Sequence, residues 1–76
     1  MTDSNGYKFY RYLDEKSMLV LKRTGTISRI FCPFAVINDQ EEILPVSAIS
    51  QGADGFPYYL IDGHYHKYSS FLILPK

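Results

Sequence analysis

The sequence predicts an all-β fold: a small closed or strongly coiled antiparallel barrel of about five to seven short strands. Three observations carry that prediction. Asp62-Gly63 stands between Tyr58-Tyr59-Leu60-Ile61 and His64-Tyr65-His66-Lys67-Tyr68. An Asp-Gly pair between two apolar, aromatic-rich runs signals a β-hairpin, because a type I′ turn needs positive φ at both central residues. Aromatic residues make up 16% of the 76, with seven tyrosines and five phenylalanines, and such side chains suit a pleated, half-buried surface. Turn residues also punctuate the chain at roughly eight- to twelve-residue intervals, the rhythm of a small β-domain.

In chain order, the polar residues 1–6 read as a disordered tail, which leaves 7–76 as one domain. Tyr7 to Leu13 reads as a strand, with Tyr7, Phe9, Arg11 and Leu13 on one face and Lys8, Tyr10 and Tyr12 on the other. Asp14-Glu15-Lys16-Ser17 makes a turn, and Met18 to Arg23 a second strand. After the break at Thr24-Gly25, Thr26 to Phe31 resumes, with Ile27 and Phe31 sharing a face and Ile30 opposite them. The competing reading is one helix near residues 9–22, since Phe9, Tyr12, Leu13, Lys16, Leu19, Val20 and Arg23 tolerate helical spacing. The aromatic density favours strand.

Cys32-Pro33 interrupts the chain, because proline lacks an N–H and restricts its predecessor. Phe34 to Ile37 is a short apolar strand. Asn38 to Glu41 is a turn of residues that hydrogen-bond their own backbone. Glu42 to Ser50 forms the next strand, placed by Pro45 at an edge or bulge. Gly52-Ala53-Asp54-Gly55 is a loop, the Asp-Gly hairpin follows, and Phe71 to Leu74 closes the sheet. There is no internal repeat and no linker. In spacing alone, this rhythm of short strands, short turns and a late tight hairpin resembles an SH3-like small barrel. That resemblance implies a sheet that protects its edges by closing on itself.

Bulk properties narrow the function classes. A chain this short buries only about 60–65% of its unfolded surface, and a single core of this size supplies roughly 3–5 kcal/mol. With one cysteine, no internal disulfide or Cys-pair zinc site supports it. Self-association or docking on another protein is a natural source of extra stability. No apolar run reaches the roughly 18 residues of a membrane span, and the polar start does not read as a signal peptide. These features and the lone cysteine point to the cytoplasm, with no membrane partner.

The net charge of zero hides an asymmetry. Tyr7 to Phe31 holds Lys8, Arg11, Lys16, Lys22, Arg23 and Arg29 against Asp14 and Glu15, about +4. Cys32 to Gly63 holds Asp39, Glu41, Glu42, Asp54 and Asp62 with no basic residue, about −5. Such a bipolar surface steers partners or packs head to tail, although solvated faces on opposite sides of a barrel give the same count.

Four constellations compete for function. His64 and His66, two apart on a strand, share a face and could begin a metal site. No acidic residue is placed to complete it, so no metal is expected, and the pair reads more simply as surface histidines. Tyr58, Tyr59, Tyr65 and Tyr68 put aromatics on both faces of one hairpin, and only one face can enter the core. Tyrosine is enriched at interfaces, so these four, tuned by His64 and His66, are the expected partner-binding surface. The alternative is a nucleic-acid-binding barrel that uses Arg11, Lys22, Arg23 and Arg29 with Tyr10 and Tyr12, against which stands a pI of 6.7. Catalysis by Cys32 with the histidines is disfavoured. Cys32 lies among Ile30, Phe31 and Phe34 as a small buried hydrophobe, and no phosphate cradle or hydrolase motif implies a cofactor or a reaction. The expectation is a non-enzymatic interaction module whose partner is another protein or a second copy.

Overall fold

The computed structural model describes residues 7–74, so the tail expected at residues 1–6 lies outside the described residues. Between them the chain forms nine short strands: β1 (Lys8–Asp14), β2 (Ser17–Leu21), β3 (Ile27–Phe31), β4 (Phe34–Ile37), β5 (Ile43–Val46), β6 (Ala48–Gln51), β7 (Pro57–Ile61), β8 (His64–Lys67) and β9 (Leu72–Ile73). A 3-10 turn at Tyr68–Ser70 links the last two. Among the described residues no helix is long and apolar enough to cross a membrane.

The all-β class is as expected, but no closed barrel forms among the described residues. The strands make three antiparallel sheets, ordered β1-β2-β3, β5-β4-β9 and β6-β7-β8. Pairing breaks where the chain passes from sheet to sheet. The cis Cys32-Pro33 peptide separates β3 from β4. Ser47 divides the expected 42–50 strand into β5 and β6, and its N–H bonds to Leu60 O at 3.0 Å instead of continuing the β5 ladder. Pro45 has no N–H to donate, and β5 is accordingly an edge strand. Single backbone bonds tie the sheets together, as where the Ile49 N–H in β6 meets Glu15 O in the β1–β2 turn at 2.7 Å. All three sheets face one core, formed by Met18, Val20, Phe34, Val36, Val46, Ile49, Tyr59, Ile61 and Ile73.

The helix considered for residues 9–22 is instead the β1–β2 hairpin. Phe9 pairs with Val20, Arg11 with Leu19 and Tyr12 with Met18, and the register shift between Phe9 and Arg11 leaves Tyr10 as a bulge. The bulge reverses the alternation after Tyr10. Phe9 and Tyr12 therefore both pack against the core, three residues apart, and this strand mimics helical spacing. The face assignment expected for residues 7–13 fails at the same point, with Tyr12 inward and Arg11 outward. The turn is held by Asp14, whose Oδ1 accepts from the Lys16 N–H at 2.8 Å and the Ser17 hydroxyl at 3.1 Å.

The remaining turns follow their residue chemistry. Asn38 Oδ1 accepts the Gln40 and Glu42 N–H groups at 2.9 and 2.8 Å, and its Nδ2 donates to Glu42 Oε1 at 2.8 Å. Asp62 (φ 52°) and Gly63 (φ 79°) adopt the two positive φ values of a type I′ turn.

Candidate functional site

The Asp62-Gly63 turn fixes the register of β7 and β8: Ile61 opposes His64, Leu60 opposes Tyr65, Tyr59 opposes His66 and Tyr58 opposes Lys67. Alternation therefore separates the expected partner-binding residues. Tyr59 is only 1% exposed. Its ring meets Phe34 edge-on at 5.3 Å, and its hydroxyl points at Met18 Sδ, 3.9 Å away. Burial pushes its phenol well above the ordinary tyrosine range. A residue held this way cannot anchor a partner while the chain is folded.

Tyr68 is half-buried and packs against the core, stacked on Phe56 at 5.8 Å and tilted against Phe9 at 5.4 Å. Tyr58 is half-buried too, its hydroxyl donating to Asp54 Oδ2 at 3.1 Å. That carboxylate also accepts Lys67 Nζ at 2.9 Å and, through Oδ1, the Phe56 N–H at 3.0 Å. The lysine, then the Phe56 N–H, holds the Asp54 carboxyl below its usual range. Of the four tyrosines only Tyr65 is largely open, at 52%. It shares the outer face of the hairpin with Tyr58 and Leu60. His64 and His66 are exposed on the opposite face, where His66 meets the Phe71 ring edge-on at 5.9 Å. The described residues contain no group of three side chains able to hold a metal.

The four basic candidates are brought together in part. Arg11 and Arg29 flank Leu19 in one cross-strand row on the outer face of the first sheet. Arg29 also donates to Ser17 Oγ at 2.9 Å, pairs with Asp14 at 3.5 Å and lies 4.8 Å over the Phe31 ring. Lys22 and Arg23 belong to the β2–β3 connection, with Lys22 Nζ 5.8 Å from the Tyr7 ring. Tyr12, expected beside them, faces the core. Cys32 is half-buried, its Sγ directed at Glu15 O, and burial pushes its thiol up, away from nucleophile chemistry.

The surface that the residue-by-residue reading missed is the outer face of β5-β4-β9. Ile43, Ile37 and Leu72 form one cross-strand row, and Pro45 and Ala35 a second, which Leu74 continues through its N–H bond to Ala35 O at 3.0 Å. Every one of these residues is apolar. Ile43 is 66% exposed and Leu72 43%. Next to this face Pro33, Phe34, Leu44, Pro45 and Leu74 line a shallow groove of about 460 Å3. The inner faces of the same strands supply Phe34, Val36, Val46 and Ile73 to the core, so this sheet is apolar on both sides. The signal was present in the sequence: Phe34-Ala35-Val36-Ile37, Ile43-Leu44-Pro45-Val46 and Phe71-Leu72-Ile73-Leu74 are continuous apolar runs, not alternating ones, as in strands covered on both faces.

Comparison of the chain with protein-family models, curated proteins and solved structures finds no match.

Proposed function

We propose that this chain is a non-enzymatic protein-interaction module and that its main partner surface is the outer face of β5-β4-β9. One observation carries the proposal: a three-stranded face with no polar side chain in either row stands open to solvent. Contiguous exposed apolar patches of this kind mark interaction sites in soluble proteins. The outer face of the hairpin, with Tyr65 at its centre, is a second and smaller contact surface in this reading. The raised thiol of Cys32 and the isolated histidine pair support binding over catalysis. The single free cysteine supports a reducing, cytoplasmic setting.

The test is capture from a host extract on the immobilised chain, with and without nuclease, using wild type, Ile43→Asp and Tyr65→Ala. A discrete protein partner that survives nuclease and is lost with Ile43→Asp is the expected result. A partner set unchanged by Ile43→Asp would overturn the assignment of this face.

A second reading, binding of single-stranded nucleic acid, is favoured by the Arg11–Leu19–Arg29 row and by exposed aromatics in the same sheet, Tyr10 at 55% and Phe31 at 59%. It requires affinity that falls steeply with salt. The engagement of Arg29 by Asp14 weakens it.

A further inference from the structure

We propose that the occupant of the β5-β4-β9 face is a second copy of this chain, packed face to face with its strands antiparallel to form a weak two-fold dimer. The inference rests on the interaction-module reading and adds the partner and the geometry.

The face is self-complementary. A two-fold interface sets the same patch against itself, so it must carry no net charge at its centre. The rows Ile43–Ile37–Leu72 and Pro45–Ala35–Leu74 meet that condition, since both are wholly apolar. Two sheet faces built this way stack about 10 Å apart, as in a β-sandwich.

Charge at the rim selects the orientation. One end of this sheet is the β4–β5 turn, where Asp39, Glu41 and Glu42 are all exposed. Near neutrality marks the other end, where exposed Glu15 stands beside Lys16. Lys16 donates through Nζ to Ser47 O, just beyond β5, at 3.4 Å, and its carbonyl accepts from the Cys32 N–H, just before β4, at 2.7 Å. β4 and β5 pair over four positions, which puts the two ends on the order of 10–15 Å apart at 3.3 Å per residue. An antiparallel pairing sets the acidic turn of one chain over the Lys16 end of the other, and the two-fold axis repeats the match. A parallel pairing would set acid on acid.

The exposed area is that of a weak interface. A fully exposed aliphatic side chain presents on the order of 100 Å2. Ile43, Leu72 and Pro45, the half-buried Ile37, Ala35 and Leu74, and the adjoining Pro33 then present on the order of 400–500 Å2 per chain. The pair buries less than the roughly 1,200 Å2 of stable complexes, in the range of weak, transient ones. The expected association is therefore weak and transient, and the dimer is not obligatory.

Sedimentation velocity on the full chain from about 5 to 500 µM tests this, with circular dichroism confirming that each variant is folded. Wild type should move from the mass of one chain toward two. Ile43→Asp and Leu72→Asp should remain at one chain throughout, and Ile27→Ala, at an exposed position of β3 in the first sheet, should behave as wild type. Lys16→Glu should weaken association by about 3- to 10-fold and combination with Glu41→Lys should restore it, because each dimer contains the pair twice. Wild type that stays at one chain across the range overturns the dimer, as does Ile43→Asp that associates like wild type. The two readings are separable: a chain that never self-associates but loses a captured protein with Ile43→Asp keeps the interaction module and refutes the dimer, whereas a captured set unchanged by Ile43→Asp overturns the module's assignment to this face.

Discussion

At the scale of single residues, Tyr59 and Tyr65 divide the roles that the hairpin sequence left merged. Tyr59 is in the core, and truncating a buried aromatic costs about 3–5 kcal/mol, as much as a chain of this size has to spare. Tyr59→Ala should therefore be unfolded by circular dichroism. Tyr65→Ala should shift stability by no more than about 0.5 kcal/mol. Tyr59→Phe removes only a weak hydroxyl–sulfur contact and should fold. It also isolates the alkaline response. Below the ordinary tyrosine value of 10.0 the phenol is protonated in both states and contributes no pH dependence. Above it the unfolded phenol ionises while the buried one keeps its proton, so the native state binds more protons and stability falls as pH rises. Urea midpoints between pH 9 and 11 should fall more steeply for wild type than for Tyr59→Phe, and equal slopes would contradict the buried placement. That Tyr59 and not Tyr58 turns inward was not legible from residue types, because neighbouring tyrosines are equally apolar. The partners decide it: Tyr58 has Asp54 within reach on the solvent side, and Tyr59 has Phe34 and Met18 on the other.

At the scale of elements, the turns were the most legible features and the strand phases the least. Asp62-Gly63, the Asn38 turn and the edge placement of Pro45 follow from local chemistry that needs no tertiary context. Gly63→Ala should cost about 1 kcal/mol or more, since a φ of 79° strains any side chain. The bulge at Tyr10 was not legible, because it depends on the register of β1 against β2, and one inserted residue turns every later side chain over. The Gly52–Phe56 loop yields a pairwise test. A Cβ at Gly52 would strike the Tyr58 ring, so Gly52→Ala should displace Tyr58 and break its bond to Asp54. The melting-temperature loss of Gly52→Ala should shrink when Tyr58 is already alanine, and full additivity would count against this packing. The same loop responds to acid. The Lys67 ammonium first holds the Asp54 carboxyl low, as the Lys16 N–H holds that of Asp14. The stabilisation from both is present above the ordinary value of 3.8 and is lost as pH falls below it. Asp54→Asn should reduce the drop in melting temperature between pH 5 and 3.

At the scale of the whole molecule, the all-β class followed from composition and turn spacing, whereas closure did not. Spacing reports how many strands there are, and pairing across Cys32-Pro33 and Ser47 decides whether they join. Three small sheets around one core leave outer faces that a closed barrel would also leave. What distinguishes this chain is that one of those faces is apolar throughout. The continuous runs at Phe34, Ile43 and Phe71 encode that property, but it becomes a surface only once β4, β5 and β9 are known to lie side by side. The most direct test of that surface is a dilution series of two-dimensional amide spectra on the labelled full chain. The amides of Ile37, Ile43 and Leu72 should shift progressively between about 10 and 500 µM while those of His64 and Tyr65 stay fixed. Shifts confined to the β7–β8 hairpin, or none at all, would contradict self-association through this face.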